Sequence, residues 1–202
     1  MSKMAFVYPG QGVQNPGMGA DFYKESKEAE QIYNEAESIL DFDIKKVCFE
    51  ENDLINNTEY TQAALVTTYL AITGEVIKRE IFPDVTAGLS LGEYGAICVA
   101  GGMNEKEAIS LVRKRGIYMN NAVPEGFGGM TAVLGLNKED IDNVLREKDG
   151  VSVANYNCPG QIVITGSVEA IESSVPDLKK LGARCVKLKV RGPFHSPYLK
   201  EV

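Results

Sequence analysis

A serine between two glycines, a solitary histidine and an arginine on a helix edge are the residues whose types and spacing could do chemistry. Ser90 lies in Gly88-Leu89-Ser90-Leu91-Gly92, with strand-like residues before it and a helix-compatible segment containing Ile97, Cys98 and Val99 after it, up to Gly101-Gly102. Strand, sharp turn and helix in that order push the serine hydroxyl out of the fold at a helix N-terminus, where backbone N–H groups favour a developing negative charge. The flanking glycines are needed because a Cβ would collide with the neighbouring strand or helix. His195, the only histidine in the chain, would take the Ser90 proton as it attacks a thioester or ester carbonyl and return a proton to the leaving group. The backbone N–H groups of Leu91 and Gln11 would hold the oxyanion. Arg115 would grip a carboxylate on the acyl group through two parallel charge-assisted hydrogen bonds.

Each residue also has a plainer account when taken alone. The pentapeptide fits an ordinary strand-to-helix turn, His195 an exposed loop residue, and Arg115 a snorkelling side chain or an internal ion pair. Gln62 would either point at a central cleft or, the preferred account, pair with a backbone group at the start of its helix.

The elements that must position these residues follow from periodicity. Residues 4–8 read as a short buried strand, broken by Pro9-Gly10-Gln11-Gly12. From Ser26, a cap, the residues Ala29, Ile32, Tyr33, Ala36, Ile39 and Leu40 fall at helical spacing on a surface helix. Residues 58–78 leave little polar face and predict a buried helix. Asn104 with Glu107 forms a capping-box variant, and the following helix carries Arg115 at the edge of its apolar stripe, with Arg113 and Lys114 pointing away. Beyond the loose stretch 124–129, the order strand, helix, strand, strand, helix, strand is the ferredoxin-like arrangement. The expected fold class is therefore α/β: a hydrolase-like parallel-sheet core, residues 1–126 continued by 192–202, with an inserted ferredoxin-like small subdomain over 127–191.

The totals narrow the function. With 202 residues, 44% of them hydrophobic, the chain can bury one substantial core or one core and a satellite domain. A formal charge of −7 argues against a protein that grips nucleic acid or an anionic membrane over its whole surface. No apolar run is long enough to span a bilayer and residues 4–8 are too short for a signal peptide, so a cytoplasmic protein is the default. Cys48, Cys98, Cys158 and Cys185 are scattered without a C-x-x-C pair, and one histidine is too few to complete a metal site with them. Reduced thiols, with Cys158 exposed in its turn, are expected.

Together these segments resemble the malonyl-CoA:acyl carrier protein transacylases of fatty acid synthesis and the acyltransferase domains of polyketide synthases. The carriers are Phe6-Val7-Tyr8-Pro9-Gly10-Gln11-Gly12, Thr61-Gln62-Ala63-Ala64-Leu65, the Ser90 pentapeptide with Glu93-Tyr94, Arg115-Gly116 with Met119, residues 155–161, and Gly192-Pro193-Phe194-His195-Ser196. The resemblance implies Ser90 as nucleophile, His195 as its base, Arg115 as malonyl carboxylate ligand, and Gln11 and Leu91 as oxyanion donors. It also implies Gln62, Asn155 and Phe194 as substrate-binding residues, Phe194 resembling the malonyl-selective form of its motif. The substrates implied are malonyl-CoA and phosphopantetheinylated acyl carrier protein, with no cofactor. Family members usually have histidine where Leu89 stands, and continue for roughly another hundred residues that include the group orienting the base. A missing C-terminal part, or a separate chain or segment supplying it, is expected from that difference. The competing readings are an α/β serine hydrolase or thioesterase, and a non-catalytic fragment that only binds carrier protein. Lys187, Lys189 and Arg191, with Arg113 and Lys114, read either as a basic patch for that acidic partner or CoA phosphates, or as a solvated face.

Overall fold

The computed structural model describes residues 3–200. Contacts divide the chain into two compact units between Ile117 and Tyr118. Residues 118–126 and 192–200 thus group with the second unit, whereas the sequence pattern assigned them to the first.

The first unit begins with β1 (Ala5–Tyr8), followed by α1 (Ala20–Glu25), α2 (Lys27–Ile39), α3 (Ile44–Phe49) and the long α4 (Thr58–Lys78). Next come β2 (Val85–Gly88), α5 (Gly92–Val99) and α6 (Glu105–Asn121), the last running through the division. Strands β1 and β2 pair in parallel, Ala5 against Val85 through Tyr8 against Gly88. Helix α4 is buried along most of its length, as its apolar sequence requires, and forms the centre of a core with Tyr33, Ala36, Ile44, Leu91, Ile109 and Val112. Helix α2 is capped by Ser26, whose hydroxyl accepts from the Ala29 N–H at 3.2 Å. At the start of α6 the capping box is complete: Asn104 N–H donates to Glu107 and Glu107 N–H donates back to Asn104, both at 2.9 Å.

Two expectations for this unit are corrected. Strand β1 is not a buried strand: Val7 is 72% exposed and Val85 on β2 is 52% exposed. Ala5, Val7, Val85 and Ala87 share one face of the sheet, and all four are exposed, while α5 covers the other face. The pattern is that of a strand meant for burial on two sides, and helices lie against only one of them among the described residues.

Arg113 does not point away. Its guanidinium donates to both carboxylate oxygens of Asp41 at 2.8 and 2.9 Å and to the Glu59 carbonyl at 2.7 Å, and lies 5.1 Å from the ring centres of Phe42 and Tyr60. The helical wheel could not show this, because the partners arrive from residues 41–60, well upstream. Arg113 therefore ties α6 to the start of α4. Arg113→Ala is expected to lower stability by about 2 kcal/mol through lost charge-assisted and cation–π contacts, read as a lower urea midpoint in far-ultraviolet circular dichroism. An unchanged midpoint would show the cluster to be ornamental.

The second unit contains β3 (Gly128–Leu134), α7 (Lys138–Arg146), β4 (Val151–Cys158), β5 (Gln161–Ser167), α8 (Val168–Lys180) and β6 (Arg184–Lys187). The sheet is antiparallel in the order β4-β5-β3-β6, the ferredoxin-like topology the element order predicts. Asn137 and Ser167 cap the two helices through their side chains. Both helices contribute to a core of Val133, Ile141, Leu145, Ile164, Ile171 and Leu178. Arg191, one of the residues read as a basic patch, is ion-paired with Glu125 at 2.5 Å. Arg113 is likewise neutralised by Asp41, so neither of these arginines is an uncompensated positive charge.

Candidate active site

Strand β2 ends in a turn whose shape is set by two hydrogen bonds. Leu89 N–H donates to the Tyr8 carbonyl at 3.0 Å, prolonging the pairing of the strands, and Gly92 N–H closes the turn on the Leu89 carbonyl at 3.0 Å. Between them Ser90 adopts φ 51°, a left-handed conformation rare for a residue with a side chain. Strain of this kind persists only where surrounding structure enforces it. Here the enforcement comes from close approach. A Cβ on Gly88 would lie 2.1 Å from the Gly92 carbonyl carbon, and one on Gly92 would lie 2.1 Å from the Tyr8 oxygen. The turn thus has the strained, closely packed strand-to-helix geometry that a nucleophile elbow requires.

The loop bearing Gln11 is held beside this turn. Gly10 is buried, and a Cβ on it would come within 3.1 Å of the Leu89 oxygen. The Tyr69 hydroxyl donates to the Pro9 carbonyl, and Gln11 Nε2 to Thr58 Oγ1, each at 3.2 Å. Leu91, the other residue assigned an oxyanion N–H, is 1% exposed at the start of α5.

Arg115 reaches the serine. Its NH2 donates to Ser90 Oγ at 2.9 Å and its NH1 to Gln62 Oε1 at 2.8 Å. Gly116 makes this possible, since a Cβ there would sit 2.9 Å from the Thr58 oxygen and force α6 away from the first turn of α4. The guanidinium carbon lies 5.6 Å from the centre of the Tyr94 ring. Burial pushes the pKa of the arginine down, opposed by Tyr94 and Glu93; a guanidinium remains charged in any protein setting. Of the two accounts of Gln62, the one preferred from sequence omitted this bond: the side chain is 1% exposed and serves the Arg115 guanidinium. Tyr94, quoted from sequence only as part of the motif around Ser90, is the ring beside that guanidinium.

In the second unit Phe194 is buried with Met130, Ala132 and Val163. His195 is exposed in a turn at φ 59°. Ser196 accepts from the Tyr198 N–H at 3.3 Å and opens a short 3-10 turn, Pro197–Leu199; residues 201–202 lie outside the described residues. Asn155 is half-buried on β4, paired with Val163 beside a shift in register. The structure therefore brings Ser90, Arg115 and Gln62 into direct contact within the first unit, with Gln11 and Leu91 placed beside the turn.

Cys48 is buried and its thiol is pushed up to about 12, chiefly by desolvation; Cys158 is exposed, as its turn predicts. No group of three or more His, Cys, Asp or Glu among the described residues is placed to hold a metal ion. No helix among them is long and apolar enough to cross a membrane.

An elbow serine, an arginine on its hydroxyl and a ferredoxin-like unit in one chain define an acyltransferase architecture, and over residues 5–202 the chain matches and belongs to the acyl transferase domain family. Its likeness to individual members is more specific. It is 43% identical to the malonyl CoA-acyl carrier protein transacylase of Bacillus subtilis, over 99% of this chain and 65% of that protein. The crystal structure of the malonyl CoA-acyl carrier protein transacylase from Clostridium perfringens superposes with a TM-score of 0.94 at 39% identity, covering 98% of this chain and 64% of the other. A structure described as a type II PKS acyl-carrier protein in complex with its malonyl-transacylase gives 0.93 at 39% identity, covering 98% and 66%. The chain thus spans about two thirds of the length of the relatives it matches. The α/β hydrolase-like fold class expected from sequence agrees with these neighbours.

Proposed function

We propose that this chain takes a malonyl group from malonyl-CoA onto Ser90 and passes it to the phosphopantetheine thiol of an acyl carrier protein, as in fatty acid synthesis in the cytoplasm. The observation that carries the proposal is the Arg115 guanidinium 2.9 Å from Ser90 Oγ. An esterase needs no fixed cation beside its nucleophile, whereas an acyl group with a carboxylate next to its carbonyl does.

Ser90 Oγ attacks the thioester carbonyl, forming the Oγ–C bond as the hydroxyl proton passes to His195. The N–H groups of Leu91 and Gln11 hold the oxyanion; one such donor is typically worth about 100- to 1000-fold in rate. Collapse breaks the C–S bond and CoA leaves as its thiol with the proton returned by His195. The pantetheine thiol then repeats the sequence in reverse. Arg115, steadied by Gln62, holds the malonyl carboxylate throughout, and the family likeness adds Phe194 and Asn155 to the substrate-binding set. The reaction runs on side chains and substrates alone, without a cofactor. The remaining third of the relatives' length, supplied by a further segment or a separate chain, belongs to the same proposal.

The test is intact-mass analysis after mixing the protein with malonyl-CoA and quenching in acid. One malonyl group per chain is expected, with far less label from acetyl-CoA, and discharge on adding the phosphopantetheinylated carrier protein. Rapid loss of label to water with no transfer would favour a hydrolase. No label, with carrier-protein binding retained, would favour a non-catalytic binding fragment.

A further inference from the structure

The contact between Arg115 and Ser90 has a second face. Resting on the reading of Ser90 as nucleophile and Arg115 as carboxylate ligand, we infer that the guanidinium latches the serine in the resting protein, and that a carboxylate on the incoming acyl group opens the latch. Selection for malonyl is then exercised on the acylation step itself as well as on binding.

Both terminal nitrogens of Arg115 are committed to neutral oxygens, NH2 to Ser90 Oγ at 2.9 Å and NH1 to Gln62 Oε1 at 2.8 Å. The two acceptors occupy the two prongs that a carboxylate would take in a fork-to-fork pair. A hydroxyl that accepts a hydrogen bond from a cation holds part of its lone-pair density in that bond and is a poorer nucleophile. The ionised carboxylate is the stronger acceptor for a guanidinium, so malonate draws NH2 away from Oγ and returns that lone-pair density for attack. The Tyr94 ring, 5.6 Å from the guanidinium carbon, keeps the group in place during the exchange. An acetyl group brings no competing acceptor and meets a serine still held by the cation. Charge-assisted hydrogen bonds of this kind are worth about 10- to 100-fold in an equilibrium, which sets the scale of the effect.

The test uses a small neutral sulfonyl fluoride, which sulfonylates a serine as fluoride leaves and the hydroxyl proton passes to base. Labelling of Ser90 is followed by mass spectrometry with and without free malonate, and with sodium chloride at matched ionic strength. Malonate cannot acylate the enzyme, so acceleration can come only through the site. Malonate is expected to raise the labelling rate about 10-fold or more and chloride to leave it unchanged. Arg115→Ala is expected to label at the raised rate without malonate and to ignore it; Arg115→Met, which keeps the apolar stem, replaces it if the alanine variant fails to fold. Malonate that protects Ser90 or leaves its rate unchanged, with the label still on Ser90, overturns the latch and spares the nucleophile. A label that never maps to Ser90 overturns both.

Discussion

Ser90→Ala is expected to abolish malonyl capture and to leave the fold intact. Without Oγ no covalent intermediate forms, and removing the nucleophile of such a unit typically lowers turnover by about 10⁴-fold or more. The change costs stability only through the lost hydrogen bond to Arg115. Alanine carries the same Cβ as serine, so the strain at φ 51° is retained, and the hydroxyl is half-buried with Arg115 beside it. The denaturation midpoint should move by no more than the equivalent of about 1 to 3 kcal/mol, the worth of the hydrogen bond that Arg115 loses. Intact-mass analysis and circular dichroism on the same sample separate the two quantities. A Ser90→Ala protein that still gains a malonyl group would move the acceptor elsewhere in the chain.

Gly92→Ala should do the reverse, striking the fold first. The new Cβ would stand 2.1 Å from the Tyr8 oxygen and 2.7 Å from the Pro9 oxygen. Both are backbone atoms, fixed by the pairing of β1 with β2 and by the hydrogen bond from the Tyr69 hydroxyl. Relief requires moving the first turn of α5 off the strand ends, at a cost of about 3 kcal/mol. Gly160→Ala is the contrast: φ there is 78° but nothing lies within 4 Å of an added Cβ, so only backbone strain of about 1 kcal/mol applies. Urea titration followed by circular dichroism ranks the two. If Gly160→Ala proved the more damaging, close approach would not be what reserves position 92 for glycine.

Local signals were legible before any coordinates. The elbow was readable because two glycines and a serine must meet a steric requirement within five residues, and the capping box because Asn104 and Glu107 need only each other. The buried character of α4 follows from composition alone, and the ferredoxin-like order from alternating periodicities. What escaped depends on chain segments far apart. Arg113 was misread because Asp41, Phe42 and Tyr60 are remote in sequence, and a helical wheel knows only its own helix. The Gln62 to Arg115 bond spans 53 residues. Exposure of β1 was illegible for a different reason: alternation says which faces of a strand are apolar and is silent on what covers them.

That exposed face has a consequence for the described residues in concentrated salt. Ala5, Val7, Val85 and Ala87 offer a small, flat, uncharged plateau on a molecule whose formal charge of −7 otherwise keeps copies apart. At low salt the mutual repulsion would favour dispersion. Sulfate or phosphate at high concentration screens that repulsion and strengthens the tendency of apolar surface to leave water, so this plateau is where salting-out would begin.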